Sequence, residues 1–256
     1  MIDSRAVISP QAQIGAKVHI GPFSVIGADV IIGAGTWIGP HAVINGPTLI
    51  GVDNKIFQFA SLGDAPQDKK YKGEPTRLEI GDRNVFRENV TVNRGTAHDK
   101  GVTHIGSDNL FMAYSHVAHD CQLGDNIVMS NCATLGGHVE IGDWVIMGGL
   151  SAVHQFTKIG AHCFIGNNAA VTRDVPPYVM AIGQPAQPHS VNSEGLKRRG
   201  FSAEQILNIR RAYRLLYRSG LKLKAAMERL DEIASAQPEI RPFVEFIKRS
   251  ERSIVR

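Results

Sequence analysis

One apolar residue recurs every six positions along most of the chain, and this period constrains the fold more than any other sequence feature. The series runs from Ile2 to Leu62, resumes from Ile80 to Val92, and continues one register later from Ile105 to Val171. All 26 positions are apolar, and glycine follows 15 of them. A six-residue period is smeared around a helix of 3.6 residues per turn, but it suits short strands separated by corners. The sequence therefore predicts a mainly-β solenoid with three hexads, or about 18 residues, in each coil.

A second column, two residues before each apolar position, holds mostly small or β-branched side chains. Residues two apart on a strand point to the same face, so each hexad directs one large and one small side chain inward. Cys121 and Cys163 belong to this column, and we expect them to fill the core rather than to act as nucleophiles. With Cys132 the chain has three scattered cysteines and no CxxC pair, which favours a reducing cytoplasm.

Polar segments and helix signals interrupt or end the period. Residues 63–77 and 94–104 are rich in glycine and charge and should protrude as loops. Ser202 begins a capping-box pattern ahead of an amphipathic stretch, and two further helical segments follow. We expect a solenoid domain over 1–191, and a helical domain over 192–256 that covers the open end of the solenoid.

Charge separates the same two parts. Residues 192–256 carry 15 Lys and Arg against 8 Asp and Glu, whereas residues 1–191 are net acidic. The basic end suggests phosphate, an acidic protein or nucleic acid as a partner, and nucleic acid is disfavoured because no aromatic-interleaved basic stripe is present. No apolar run approaches the roughly 18 residues of a membrane span, and the N-terminus lacks the pattern of a secretory signal.

The histidines behave differently from the cysteines, since none of the ten occupies an inward column. Stacking the coils aligns His119 with Gly137 and Gln155, and places Asp120 beside His138. A histidine next to a carboxylate suits proton abstraction from a hydroxyl at neutral pH. Because His119 and Asp120 are consecutive, they can meet only if the chain turns a corner between them.

Two other interpretations of this cluster remain open. Three histidines can hold Zn²⁺ with an open position for water, and His116 and His119 with His98, His104 or His138 would supply them. A scaffold without catalytic activity would instead tolerate the loss of His119.

Several motifs resemble those of the bacterial acyl-[acyl-carrier-protein]–UDP-N-acetylglucosamine O-acyltransferases, which perform the first step of lipid A synthesis. The resemblance spans the whole chain and rests on QDKKYKGEPTRLEIGDRN (67–84), HVAHDC (116–121), GGHV (136–139), AVHQF (152–156), DVPPYV (174–179) and EGLKRRGF (194–201). It implies a left-handed parallel β-helix with a C-terminal α-helical domain, assembled as a homotrimer with active sites between subunits. It also implies no metal and no cofactor, because acyl carrier protein carries the donor.

The resemblance further implies roles for individual residues. His119 would deprotonate the 3-hydroxyl of UDP-N-acetylglucosamine, Asp120 would orient that histidine, and the Gly137 N–H would stabilise the oxyanion. The basic C-terminal part would receive the acidic acyl carrier protein. Other residues would contact the sugar, acyl chain or diphosphate (Asp68, Lys70, His116, His138 and Gln155) or the nucleotide end (Asn192, Glu194, Arg198 and Arg199).

Two positions depart from the family pattern. Asn93, in VTVNRGT, stands where the best-known members carry a histidine, so one substrate contact would be altered. Asn167, in FIGNNAAV, stands where some members carry glycine, and its larger side chain would shorten the acyl groove toward about 10 carbons.

Two related activities remain as alternatives. One is that of the N-acyltransferase acting later in the same pathway, which usually carries an extra N-terminal domain, whereas here the repeat starts at Ile2. The other is acetyl transfer to a hydroxyl from acetyl-CoA.

Overall fold

The predicted solenoid is present in the computed structural model, which describes residues 1–256. Three parallel sheets form its sides, and each strand pairs with strands of the preceding and following coils. His116, Thr134 and Ala152 are partners in successive coils, which gives the expected spacing of 18 residues. The fold class, a left-handed parallel β-helix with C-terminal helices, is confirmed.

The 27 strands are short, as expected of hexads that turn a corner after each repeat. Sheet 1 contains β1 (Val7–Ile8), β4 (Val25–Ile26), β7 (Val43–Ile44), β10 (Ser61–Asp64), β13 (Thr91–Asn93), β16 (His116–Val117), β19 (Thr134–Leu135), β22 (Ala152–Val153) and β25 (Ala170–Val171). Sheet 2 contains β2 (Gln13–Ile14), β5 (Val30–Ile32), β8 (Thr48–Ile50), β11 (Arg77–Ile80), β14 (Val102–Ile105), β17 (Gln122–Leu123), β20 (Glu140–Ile141) and β23 (Lys158–Ile159). Sheet 3 contains β3 (His19–Ile20), β6 (Trp37–Ile38), β9 (Lys55–Ile56), β12 (Val85–Phe86), β15 (Leu110–Phe111), β18 (Val128–Met129), β21 (Ile146–Met147), β24 (Phe164–Ile165), β26 (Val179–Ile182) and β27 (Gln187–Val191), the last antiparallel to β26.

The two inward columns form the core. Every member of the large apolar series from Ile20 to Val171 is buried, whereas the first members lie at the open N-terminal end and are partly exposed. Cys121 and Cys163 are fully buried, and burial raises the pKa of both thiols to about 12. They fill the core, as predicted.

Most corners are turned by a residue with positive φ. We call the corner between sheets 1 and 2 corner I, that between sheets 2 and 3 corner II, and that between sheets 3 and 1 corner III. At corner I, Asp120, His138 and Phe156 have φ of 60°, 61° and 64°. This left-handed conformation is unfavourable for residues other than glycine, and the stacked coils stabilise it.

The two long loops both leave the solenoid at corner I. Residues 65–76 connect β10 to β11, and residues 94–101 connect β13 to β14. Both loops are shorter than predicted, because their ends are drawn into the strands. They protrude from the two coils that precede His119.

Helices follow the last strand. They are α1 (Ser193–Arg198), α2 (Ala203–Arg218), α3 (Leu223–Ala236), a 3-10 turn (Pro238–Ile240) and α4 (Arg241–Lys248). The capping box at Ser202 is confirmed, whereas α1 was not predicted. None of the helices combines the length and apolar character needed to cross a bilayer. The division into domains at 191/192 stays a prediction.

Candidate active site

Corner I brings His119 and Asp120 into contact although they are consecutive. The positive φ of Asp120 turns its side chain toward the imidazole, and His119 Nδ1 lies 2.9 Å from Asp120 Oδ2. The carboxylate is 1% exposed and also accepts hydrogen bonds from the Thr96 N–H and from Thr96 Oγ1 at 2.6 Å. Burial acts to raise the pKa of Asp120, but the hydrogen bonds from His119 and Thr96 outweigh it, and the pKa lies below its ordinary value. The pair presents an ionised carboxylate to a histidine.

Gly137 lies against His119 in the next coil. A Cβ at Gly137 would come within 2.6 Å of His119 Cε1, so only glycine fits beside this ring. The Gly137 N–H has no hydrogen-bond acceptor within the chain, and Gly137 is buried. Gln155 follows in the third coil and is exposed. The His138 N–H donates to the His119 carbonyl and the Phe156 N–H to the Gly137 carbonyl, which confirms the predicted alignment of the coils.

His138 is held on two sides by other rings. It stacks on Phe156 with the ring centres 4.3 Å apart, and its edge meets His119 at 4.9 Å. Its Nδ1 lies 2.6 Å from Oδ2 of Asp99, which belongs to the loop 94–101. From the sequence, no role was assigned to Asp99 or Phe156. The contact of Phe156 with His138 could have been predicted, because stacking by 18 residues aligns the two.

A cavity of about 500 Å³ opens at corner I. Both loops line it, together with sheet 2 and the C-terminal segment that returns to the solenoid through a bridge between Asp174 and Ile254. Its lining includes four of the predicted site residues, Asp68, Lys70, Asp120 and His138, and also His98, which was named for the zinc alternative. The other seven residues of the lining were not predicted: Thr96, Asp99, Lys100, Glu140, Phe156, Lys158 and Glu251.

Two other predicted positions lie on sheet 1 close to this corner. Thr91 Oγ1 is 2.7 Å from Nδ1 of His116, and burial, followed by the nearby His119, lowers the pKa of His116. Asn93 is 5% exposed, and its Nδ2 donates to the Ala65 carbonyl at 3.0 Å. Asn93 thereby ties the loop 65–76 to the solenoid, while its buried Oδ1 has no partner in the chain.

Of the five histidines named for the zinc alternative, only His119 and His138 are brought together, and His98 lies outside their group. His119, Asp120 and His138 offer ligand atoms within 4.8 Å of one another, but His116 and His104 are not part of this group. The Nδ1 atoms of His119 and His138 already face carboxylates. The group consists of two histidines and one carboxylate, and so differs from the three-histidine site of the zinc alternative.

The residues predicted for the nucleotide end lie elsewhere. Asn192 and Glu194 line a second cavity of about 620 Å³ beside α2. The Arg199 guanidinium lies over Trp144 at corner II, 5.3 Å from the ring centre, and Arg198 is exposed. The two cavities share no residue. In one chain, these four residues are therefore not assembled with His119.

Asn167 lies at the remaining corner. It is exposed at corner III, and its Oδ1 accepts a hydrogen bond from the Gly149 N–H at 3.0 Å. The same corner carries an exposed column that includes Phe59, Tyr114 and Leu150, the last two 63% and 64% exposed. Asn89 and Cys132 stand between these three residues in the corner III stripe, which is therefore apolar at intervals and not continuously.

Comparison with known proteins agrees with this geometry. A sequence profile described as bacterial transferase hexapeptide (six repeats) matches residues 103–137, and the solenoid with its histidine corner defines a hexapeptide-repeat acyltransferase. The profile described as Udp N-acetylglucosamine O-acyltransferase, domain 2, matches residues 174–255. The chain belongs to the UDP-N-acetylglucosamine O-acyltransferase family.

Relatives cover the full length. The acyl-[acyl-carrier-protein]–UDP-N-acetylglucosamine O-acyltransferases of Herminiimonas arsenicoxydans and Thiobacillus denitrificans are 57% and 58% identical, over 100% of this chain and 99% of each relative. The Francisella novicida UDP-N-acetylglucosamine acyltransferase structure matches with a TM-score of 0.98 at 44% identity, covering 100% of this chain and 94% of that one. A structure of the Acinetobacter baumannii relative matches at 0.97 and 47%, covering 100% and 99%.

Proposed function

We propose that this protein transfers an (R)-3-hydroxyacyl chain from acyl carrier protein to the 3-hydroxyl of UDP-N-acetylglucosamine, the first step of lipid A biosynthesis. The observation that carries the proposal is the His119–Asp120 pair beside the free N–H of Gly137. These groups supply one base and one oxyanion donor at adjacent positions of the same corner. The names of the full-length relatives support the same reaction.

His119 is the general base of this mechanism. Its Nδ1–H donates to Asp120, so the lone pair of Nε2 is available for the proton of the sugar hydroxyl. As the hydroxyl oxygen attacks the thioester carbonyl, that proton moves to Nε2. When the tetrahedral intermediate collapses, His119 returns the proton to the departing thiolate, and the products are the ester and free carrier thiol.

The Gly137 N–H stabilises the oxygen that becomes negative in that intermediate. Backbone donors at such a position each contribute about 10²- to 10³-fold to the rate. Around these groups, Asp68 and Lys70 from the loop 65–76 contact the sugar, acyl chain or diphosphate. His116, His138 and Gln155 do so from the solenoid.

A homotrimer would assemble the complete site. One chain holds the base at corner I, the nucleotide residues Asn192, Glu194, Arg198 and Arg199 near corner II and α2, and the acyl-length residue Asn167 at corner III. Packing the corner III stripe of one copy beside corner I of the next would bring Asn167 toward the acyl chain. Closed cyclic assembly of identical subunits produces three equivalent contacts of this kind.

The remaining partner is acyl carrier protein, which is acidic. The basic segment 192–256, with Arg210, Arg214 and Arg218 lining the 620 Å³ cavity, would receive it. The reaction needs no cofactor, since the thioester is already activated. Three free cysteines agree with a cytoplasmic location, where thiols stay reduced.

A mass-spectrometric transfer assay tests the proposal. Purified protein is incubated with UDP-N-acetylglucosamine and a series of (R)-3-hydroxyacyl carrier proteins, beside His119→Ala and the exposed-histidine control His104→Ala. We expect ester product from the wild type and from His104→Ala, and a loss of at least about 10²-fold in His119→Ala. The proposal would be contradicted if acetyl-CoA, and none of the acyl carrier proteins, served as donor. It would also be contradicted if elemental analysis found bound zinc that activity requires.

A further inference from the structure

Asp99 extends from the loop 94–101 to His138 on the solenoid, with its Oδ2 2.6 Å from the imidazole Nδ1. We propose that Asp99 is a positioning residue for the acyl transfer, which acts by holding a proton on Nδ1 of His138 and directing Nε2 toward the substrate. The expected effect of Asp99 on the rate of transfer rests on the proposed function. The hydrogen bond itself, and the position of the proton on the His138 ring, can be tested without it.

The contacts of His138 fix the plane of its ring but not which ring nitrogen faces the cavity, and Asp99 determines the latter. Stacking on Phe156, with 7° between the ring planes, fixes the plane of the imidazole. Stacking alone does not select which nitrogen faces the cavity. Nδ1 has Asp99 at 2.6 Å and Asp120 at 3.9 Å, whereas Nε2 has no partner in the chain. A carboxylate on one ring nitrogen sets the tautomer and the direction of the other nitrogen.

The loop 94–101 contacts both histidine–carboxylate pairs. Thr96 donates to Asp120, the partner of His119, and Asp99 accepts from His138. One short segment therefore orients the base and the neighbouring substrate contact together. Asp120 is buried, but the Asp99 side chain is 39% exposed, so its ion pair contributes little to folding. We therefore expect Asp99 to be replaceable without loss of the fold.

Nitrogen NMR of the full-length protein with ¹⁵N-labelled histidine tests the orientation directly. The ring signals of His138 are assigned by their loss in His138→Gln. We expect a protonated Nδ1 in the wild type and a shift of the proton toward Nε2 in Asp99→Asn. The control is Lys100→Met, which removes a different contact between this loop and the solenoid, that of Lys100 Nζ with Glu140 at 3.7 Å. Unchanged His138 signals in Asp99→Asn, or the same change in Lys100→Met, would overturn the proposal.

A double-mutant cycle tests the catalytic consequence. Asp99→Asn should lower kcat about 10-fold, as loss of an orienting carboxylate typically does, and leave KM for UDP-N-acetylglucosamine within about 3-fold. In the His138→Gln background, the same substitution should have no further effect. Additive losses, or an effect on KM alone, would show that Asp99 does not act through His138. If the wild type transfers no acyl chain at all, the proposed function fails, while the NMR result still decides the role of Asp99.

Discussion

The Gly137 backbone packs against the imidazole of His119, one coil away. A Cβ on Gly137 would lie 2.6 Å from Cε1, 2.8 Å from Nε2 and 3.1 Å from Nδ1 of His119, so the ring covers the position of a side chain. Strands in neighbouring coils are about 4.8 Å apart. Because of this short spacing, the reacting group of one substrate could contact both the unpaired N–H of Gly137 and the imidazole of His119.

Gly137→Ala should therefore inactivate the enzyme without unfolding it. The new methyl group must displace the His119 ring, and we expect kcat/KM to fall by at least about 10²-fold, the amount that general-base catalysis supplies. Gly149→Ala is the matched control, since a Cβ there meets only the Asn131 carbonyl at 3.5 Å. Acyl-transfer kinetics and thermal unfolding of both variants check this. Full activity in Gly137→Ala would contradict the geometry.

Asp120→Asn should prevent His119 from acting as a base, although the His119 side chain stays in place. The Oδ1 of asparagine can still accept the Thr96 N–H. Its amide nitrogen would replace the oxygen that faces both Thr96 Oγ1 and His119 Nδ1, and by donating to His119 Nδ1 it would move the imidazole proton to Nε2. We expect kcat to fall about 10²- to 10⁴-fold. In the control Asp125→Asn, the replaced carboxylate accepts only the Ser107 N–H at corner II. A comparable loss in both variants would argue against a specific role for Asp120.

His162 should make the protein less stable in mild acid. Burial, reinforced by the charge of Arg199 and opposed by Asp143, lowers the pKa of His162 to about 4. The unfolded chain, with a pKa near 6.5, binds the proton more readily, so the free energy of unfolding falls as the pH drops from about 6.5 to about 4.

Chemical denaturation at fixed protein concentration measures that slope. His162→Gln should flatten the curve between pH 4 and 6.5. The exposed-residue control His98→Gln should leave the slope unchanged. Equal slopes for the wild type and His162→Gln would mean that other groups dominate the acid response.

Asn167→Gly should shift the preference toward longer acyl donors. The Asn167 side chain folds back over the preceding coil, where its Oδ1 accepts the Gly149 N–H, and it occupies space at corner III that glycine would leave open. Each added methylene in an apolar pocket changes specificity by roughly 10-fold or more. Competition between carrier proteins with 10 to 14 carbons, read by mass spectrometry, compares this variant with Asn168→Gly. An unchanged preference would refute the ruler assignment.

The repeating part of the molecule was predictable from the sequence because the hexad period itself specifies which residues share a column. Ile20 and Cys121 fall inward for that reason, and His119 meets Gly137 for the same reason. Even the contact between His119 and Asp120 followed, once a corner between them was required.

The loops could not be predicted in the same way. Asp99 reaches His138 across 39 residues of sequence, and no period relates a loop to the column it contacts. The contact of Thr96 with Asp120 was missed for the same reason. The short helix α1 was also missed, because its cap residue Asn192 lies outside the repeat. The period also does not relate His119 to Arg199, which lies over Trp144 at corner II, or to Asn167 at corner III, because the three positions lie at different corners of the chain.

The stacking of coils by 18 residues also governs which changes of length the gene can accept. A single codon inserted or deleted within a strand between His119 and Gly137 would move every later column by one residue, turn core side chains outward, and separate His119 from Gly137. Insertion of one whole coil at a place outside the coils that carry the two loops, His119, Gly137 and Gln155 would preserve every alignment on both sides of it. Length variation among descendants of this gene should therefore be confined to the loops 65–76 and 94–101, or come in steps of entire coils.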